Sequence, residues 1–227
     1  MKIGIIGSRM VAQIIGSKLL EEGDEVMISS RDITKEKRGF PSAKEWQIQQ
    51  ERKGLKAHVG SFTESASFGN LVINCTSGAH SIEALTMAGK ANLGDKILID
   101  LANPLDFSKG RPPSLTIANT NSLGEEIQRT FPDVRVIKTL NMINAEVMIN
   151  PGEINGDHDL FICGNDEDAK CLVKNEILVN RFKWKNVIDL GDLSAARGME
   201  AYVILWVRLM NTLETAQFNI HIQKKKE

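Results

Sequence analysis

Short apolar runs, many of them β-branched, alternate with amphipathic stretches along the chain. The runs KIGIIG, DEVMISS, LKAHVG, LVINCT, KILIDL, VRVIKT, DLFICG and NVIDLG show little polar alternation, as strands buried on both faces of a parallel sheet do. Strands and helices in turn predict an α/β fold: a Rossmann-type, doubly wound, mostly parallel sheet with a C-terminal helical extension. Ser42 with Glu45, Ser61 with Glu64 and Ser122 with Glu125 have capping-box spacing, so crossover helices are expected to start at each.

The stretch NPLDFSKGRPPSLTIANT, rich in Pro, Gly and Ser, has neither period over most of its length and predicts a long functional or mobile loop. From 194 to 212 runs the longest helical candidate, SAARGMEAYVILWVRLMNT, apolar in its middle on nearly every face. The expected division is a nucleotide-binding domain over 1–192 and a helix with its tail over 193–227. A sheet covers only one side of such a helix. The others call for a twin subunit in a homodimer, a place capping the active cleft, or deep packing in the chain's own core. The tail FNIHIQKKKE alternates, and is expected to add an edge strand before a basic, frayed end.

With 227 residues, 42% of them hydrophobic, the chain has material for one core plus a small appendage. Lys and Arg number 28 against 29 Asp and Glu, which gives no reason to expect nucleic acid or an anionic membrane as partner. A small molecule is expected instead. Cys75, Cys163 and Cys171 lack metal-ligand spacing and lie in apolar surroundings, which suits reduced core thiols in a cytoplasmic protein without a metal site. The start lacks the pattern of a signal peptide, and AYVILWVRLM falls far short of the roughly 20 residues of a membrane span.

Candidate chemistry begins where the first run meets the first helix. Gly7 ends the strand, and Val11, Ile14, Ile15 and Leu19 recur beyond it at helical spacing. In a dinucleotide-binding loop the first glycine makes the turn, the second lets the backbone approach the pyrophosphate, and the third permits close helix packing. Gly7, Arg9 and Ala12 hold those places, and Arg9 brings a long side chain to the point of closest approach. A cation in the first helical turn is unfavourable by roughly 0.3–1 kcal/mol, and the sign reverses when an anion binds there. Arg9 is thus either an additional phosphate contact or a solvent-facing side chain that hinders backbone approach.

After the second run, where a carboxylate would hold the ribose of NAD, stand Ser29, Ser30 and Arg31. A 2′-phosphate suits the Ser30 hydroxyl and the planar Arg31 guanidinium, with Lys35 as a further point charge, so NADP(H) is expected over NAD(H). For Lys35 and Lys37 a solvated charge run, RDITKEKR, is the alternative.

In order and spacing these segments resemble the coenzyme F420-dependent NADP oxidoreductases and their bacterial NADP oxidoreductase relatives. The resemblance covers nearly the whole chain, through the strand-turn-helix start, SSRD, GSFTESASFGNLVINCT, LIDLANPLDF, NTNSLGEEIQRTFPDVRVIKTLN, DHDLFICG and VIDLGDLSAARGMEAYVILWVRLM. It implies that Ser8 joins Ser30, Arg31 and Lys35 around the 2′-phosphate and that Met10 and Val11 belong to the cofactor-binding turn. It also implies that CTSGAHSIEAL sets Thr76, Ser77 and His80 beside the nicotinamide. His80 is the candidate nearest the reacting ring, with an ordinary exposed position in a first helical turn as the alternative. Asn103 and Pro104 would line the same cleft, unless Pro104 only stops the strand. The chief departure is Arg9, where relatives usually keep glycine.

The implied reaction is hydride transfer between NADP(H) and a ring acceptor such as coenzyme F420 or a flavin. Such chemistry asks mainly for alignment and exclusion of water, which agrees with the lack of an obvious nucleophile pair or Walker loop. A ferric reductase partner would also be redox chemistry. The alternative from another class is a noncatalytic NADP(H)-binding subunit that senses redox state or docks a partner through its C-terminal helix.

Overall fold

The computed structural model describes residues 1–35 and 40–225; Lys37 and the last two residues of the basic tail lie outside the described residues. Its strands are β1 (Lys2–Ile6), β2 (Glu25–Ser29), β3 (Ala57–Gly60), β4 (Leu71–Asn74), β5 (Ile97–Asp100), the short pair β6 (Leu105–Asp106) and β7 (Ser114–Leu115), β8 (Arg135–Thr139), β9 (Asp159–Gly164) and β10 (Asn186–Asp189). All the predicted runs join one 8-stranded sheet in the order β10-β9-β8-β5-β4-β1-β2-β3. Its pairs are parallel except β8 with β9. Strand order reverses between β1 and β4, so the crossovers diverge there and open a crevice at the carboxyl ends of the strands.

Strand alternation fills both sides of this sheet. Ile5, Ile73, Ile99 and Ile137 point into one apolar layer, and Ile6, Val72, Leu98 and Val136 into the other. Helices α1 (Met10–Glu21), α2 (Ala43–Glu51), α3 (Phe62–Phe68), α4 (Ser81–Ala88), α5 (Lys90–Leu93), α6 (Leu123–Thr130), α7 (Ala145–Ile149) and α8 (Glu167–Leu172) precede the long α9 (Ala196–Leu213). Ser42 with Glu45 and Ser61 with Glu64 form full capping boxes. Ser122 accepts from the Glu125 amide, but the Glu125 carboxylate turns to Arg197 of α9, 2.9 Å from its Nε, so only half of that expected box forms.

Several expectations are corrected. The loop after β5 carries the β6–β7 hairpin. The tail forms no strand among the described residues. Ile220 accepts one backbone hydrogen bond from Asp159, while Asn219 and Ile222 spend theirs on the Asp159 carbonyl and carboxylate, which breaks ladder geometry. Cys163 is buried and Cys75 half-buried, but Cys171 is exposed because it falls on the outer face of α8. Deep packing holds only for one stripe of α9, with Ala196, Met199, Glu200 and Val203 buried and Leu205 and Leu213 more than half exposed. No helix among the described residues is long and apolar enough to cross a membrane.

At the centre of the sheet lies a buried charge cluster. Lys138 of β8 sits 2.7 Å from Asp100 of β5 and 2.8 Å from Glu200 of α9, with the three side chains at most 2% exposed. Burial works against the ammonium, but the charges of Asp100 and Glu200 outweigh it and hold the Lys138 pKa above the usual lysine value. Glu200 also accepts from the Leu123 and Gly124 amides at 2.7 and 3.0 Å, closing the start of α6. Asp100 in turn accepts from Asn74 Nδ2 at 2.7 Å. Removing the cation would leave two carboxylates facing each other away from water. We expect Lys138→Met to lose about 3–5 kcal/mol of stability in urea unfolding; a loss below about 1 kcal/mol would mean that the cluster does not depend on its cation.

Candidate functional site

Gly7 leaves β1 with φ 134, a conformation that side chains strongly disfavour, and a Cβ there would meet the Cys75 carbonyl oxygen at 2.9 Å. Its backbone bonds both ways with Ser29, fastening the ends of β1 and β2. Arg9 follows with φ −88 and ψ −170, ordinary extended backbone. The second glycine place is therefore occupied without backbone strain. The start of α1 has no side-chain cap and no acid in its first turn, so its amides and the positive end of its dipole face the crevice. Gln13, almost fully buried, donates from Nε2 to the Ser8 carbonyl at 3.0 Å and the Pro41 carbonyl at 2.9 Å. One amide thus ties the glycine turn to the segment that enters α2.

A cleft of about 230 Å³ opens beside this turn. It brings together Gly7, Ser8, Arg9, Ser30 and Arg31 with Thr76, Ser77 and His80, which follow β4. Ser29, Phe62, Cys75, Glu83, Ala84 and Met87 complete its walls. Arg31 lies 3.8 Å from Glu83, whose other oxygen is 3.4 Å from His80 Nδ1. A second concavity adjoins it, lined by Ser8, Arg9, Met10, Lys35, Phe40, Pro41 and Ala43. Val11 lines neither and packs against the core.

Asn103 and Pro104 adjoin the β4 turn from its far side. A Cβ at Gly78 would stand 2.0 Å from the Asn103 carbonyl oxygen, so this close approach requires glycine. Asn103 donates to the Asn141 carbonyl at 2.7 Å, and Asn141 Nδ2 donates back to Asn103 Oδ1 at 2.8 Å and to the Met199 carbonyl at 3.1 Å. Just before it, the buried Leu140 has φ 62, a strained left-handed conformation for a bulky residue. Asn141 Oδ1, Tyr202 OH and Trp206 Nε1 are buried without hydrogen-bond partners. Met199, Tyr202 and Trp206 are spaced three and four apart, on one stripe of α9. Buried atoms left unpaired in this way call for a partner such as a water or a ligand atom.

Thr76 is held from beneath, its hydroxyl 2.7 Å from both Asn74 Oδ1 and Ser81 Oγ. Burial and the nearby Asp100 charge hold the Cys75 thiol far above the usual cysteine range, and burial pushes Cys163 up to about 12. Neither is a nucleophile near neutral pH. Among the described residues no group of three or more His, Cys, Asp or Glu is placed to hold a metal. Sequence reasoning missed Gln13, Asn74, Glu83 and Asn141. Glu83 had a weak signal from its place in the turn after β4. The others are placed by contacts that include partners 26 to 58 residues away, Pro41 for Gln13, Asp100 for Asn74 and Met199 for Asn141, beyond any local spacing rule.

A family model described as NADP oxidoreductase, coenzyme F420-dependent, matches residues 2–104, from β1 through the Asn103–Pro104 turn. A candidate F420-dependent NADP reductase from Arthrobacter sp. FB24, known from a crystal structure, is 44% identical and superposes with a TM-score of 0.91 over 99% of this chain and 100% of its own. The chain belongs to the coenzyme F420-dependent NADP oxidoreductase family. The F420-dependent NADP reductase of Methanocaldococcus jannaschii is 28% identical over 215 residues, 92% of each chain. The metalloreductase STEAP3 of Rattus norvegicus is 26% identical over 200 residues, 88% of this chain, which spans 36% of that protein's length. Membership in the family makes this an NADP-dependent oxidoreductase with NADP(H) as its cofactor.

Two outcomes check the geometry of the site. Gly78→Ala should force the β4 turn away from Asn103 and weaken nucleotide binding by about tenfold or more in a fluorescence titration; unchanged affinity would mean that this contact does not shape the cleft. In thiol labelling near neutral pH of the folded protein, Cys171 should react while Cys163 stays protected until denaturant is added.

Proposed function

We propose that the chain transfers a hydride between NADP(H) and a ring acceptor, coenzyme F420 or a flavin. The observation that carries this reading is the cleft in which the uncapped start of α1 meets Ser30 and Arg31, with no carboxylate at positions 29–31 and the cleft's own Glu83 facing Arg31 at 3.8 Å. Asp32, the first acid after β2, is occupied by the Thr34 amide and hydroxyl at 3.0 and 2.8 Å. The Met10 and Val11 amides would hold the pyrophosphate, and Ser8, Ser30, Arg31 and Lys35 the 2′-phosphate.

This reading revises the expectation for His80. Arg31, Glu83 and His80 form one contiguous chain of contacts, and an extended dinucleotide cannot bring both its 2′-phosphate and its nicotinamide to Glu83. His80 and Glu83 are therefore assigned to the adenosine, and the nicotinamide to the region beyond Thr76 and Ser77, toward Asn103. The unpartnered atoms of Asn141, Tyr202 and Trp206 support an acceptor bound beside α9. When bound, NADPH supplies the hydride and the acceptor takes it with a proton from solvent. The residues contribute alignment and dryness: Asn103 and Asn141 fix the floor, and α9 covers one side.

Residues 193–227 are assigned to that covering role on the nucleotide domain of 1–192. A second copy of the chain is assigned to the outer stripe of α9, where Leu205 and Leu213 are exposed. Free cysteines fit a cytoplasmic setting.

NADPH should bind more tightly than NADH, and Arg31→Ala should weaken NADPH by about tenfold or more while affecting NADH much less. Equal losses would remove the phosphate assignment. Turnover is checked with F420, FMN, FAD and a ferric chelate, the last prompted by the similarity to a metalloreductase. Binding of NADPH without reduction of any of them would leave a noncatalytic nucleotide-binding subunit. Light scattering that returns a monomer would overturn the paired-helix assignment.

A further inference from the structure

We propose that Arg9 is a ligand of the 2′-phosphate and sets the preference for NADP(H) over NAD(H); this role rests on the nucleotide reading above. Arg9 and Ser8 are the residues common to the two concavities beside the glycine turn. Arg31 lies on one side of them and Lys35 on the other. Arg9 thus stands between the two cations already assigned to the phosphate.

Charge balance points the same way. Arg31 has a carboxylate nearby, Glu83, at 3.8 Å. Arg9 and Lys35 have no ion pair among the described residues. Among the described acids that flank this corner, Asp32 is held by Thr34 and Glu45 by the Ser42 amide and hydroxyl at 2.8 and 3.1 Å. A guanidinium at the positive end of α1 is unfavourable alone and becomes favourable when a dianion sits against it. Its planar face of donors suits two oxygens of one phosphate.

The setting is built in advance. Gln13 pins both the Ser8 and the Pro41 carbonyls, which fixes opposite walls of the concavity shared by Arg9 and Lys35. The pyrophosphate does not require Arg9, because the free amides at the start of α1 serve it. The extended backbone at Arg9 accepts lysine and glycine without strain, so Arg9→Lys changes the guanidinium alone and Arg9→Gly also frees the backbone to approach a ligand.

Calorimetric titrations of the intact protein, Arg9→Gly and Arg9→Lys with NADPH, NADH and 2′,5′-ADP test the assignment. Arg9→Gly should weaken NADPH and 2′,5′-ADP by about tenfold or more and NADH by less than about twofold, with Arg9→Lys in between. The losses should shrink as salt is raised. Equal losses for NADPH and NADH would assign Arg9 to the pyrophosphate, and tighter NADPH binding in Arg9→Gly would make it an obstruction; either overturns the proposal. Failure of the unmodified protein to prefer NADPH or to bind 2′,5′-ADP would instead overturn the nucleotide reading on which the proposal stands.

Discussion

The Lys138 ammonium, held between Asp100 and Glu200, is the contact on which the rest of the crevice depends. Buried ion pairs are expensive to desolvate, and this one is tolerable because every charge has further partners: the Leu123 and Gly124 amides on Glu200, and Asn74 on Asp100. It joins β5, β8, α6 and α9 at one point. From there, one branch runs through Asp100 and Asn74 to the Thr76 hydroxyl. Another runs from the Met199 carbonyl through Asn141 to Asn103, whose backbone presses on Gly78. The turn after β4 and the long terminal helix are therefore parts of one rigid wall. Replacing the cluster by apolar residues could preserve stability and still lose this alignment.

At the other end of the crevice, the electrostatics are open where those at the centre are closed. Arg9, Arg31 and Lys35 lie about an uncapped helix start, while Asp32 is bonded by Thr34, Glu45 by Ser42, and Glu83 faces Arg31 at 3.8 Å. Such an arrangement is unfavourable in the empty protein and becomes favourable when phosphate arrives. Gln13, bonded to the Ser8 and Pro41 carbonyls, fixes the backbone from which Arg9 projects.

Most of the fold was legible because burial on both faces leaves strands with little room for polar residues, and every run joined the sheet. Gly7 was legible for its turn and for its place before a helix, as its φ of 134 bears out. What escaped was decided by tertiary partners. Glu125 was drawn from its box to Arg197, and the alternating tail met Asp159 as a set of side-chain contacts in place of a ladder. Cys171 looked apolar in its surroundings, yet helix rotation sets it outward. Asn141 had no signal at all, since its position comes from a left-handed Leu140 and a carbonyl on α9.

The reversal of β9 and β10 against the other six strands has a further consequence. Because β9 runs against β8, its first residue, Asp159, comes to the same edge of the sheet as the crevice, and the tail is anchored to it there. The two ends of the crevice are thus encoded in different stretches of chain. The glycine turn, the Ser30–Arg31 corner and the turn after β4 all fall within 2–104, whereas Asn141, α9 and the anchored tail come from the later part. If the acceptor binds beside α9 as proposed, drift in the later stretch can remodel what is accepted while the earlier stretch goes on reading the same nucleotide. A lineage built this way can change its redox partner without relearning its coenzyme.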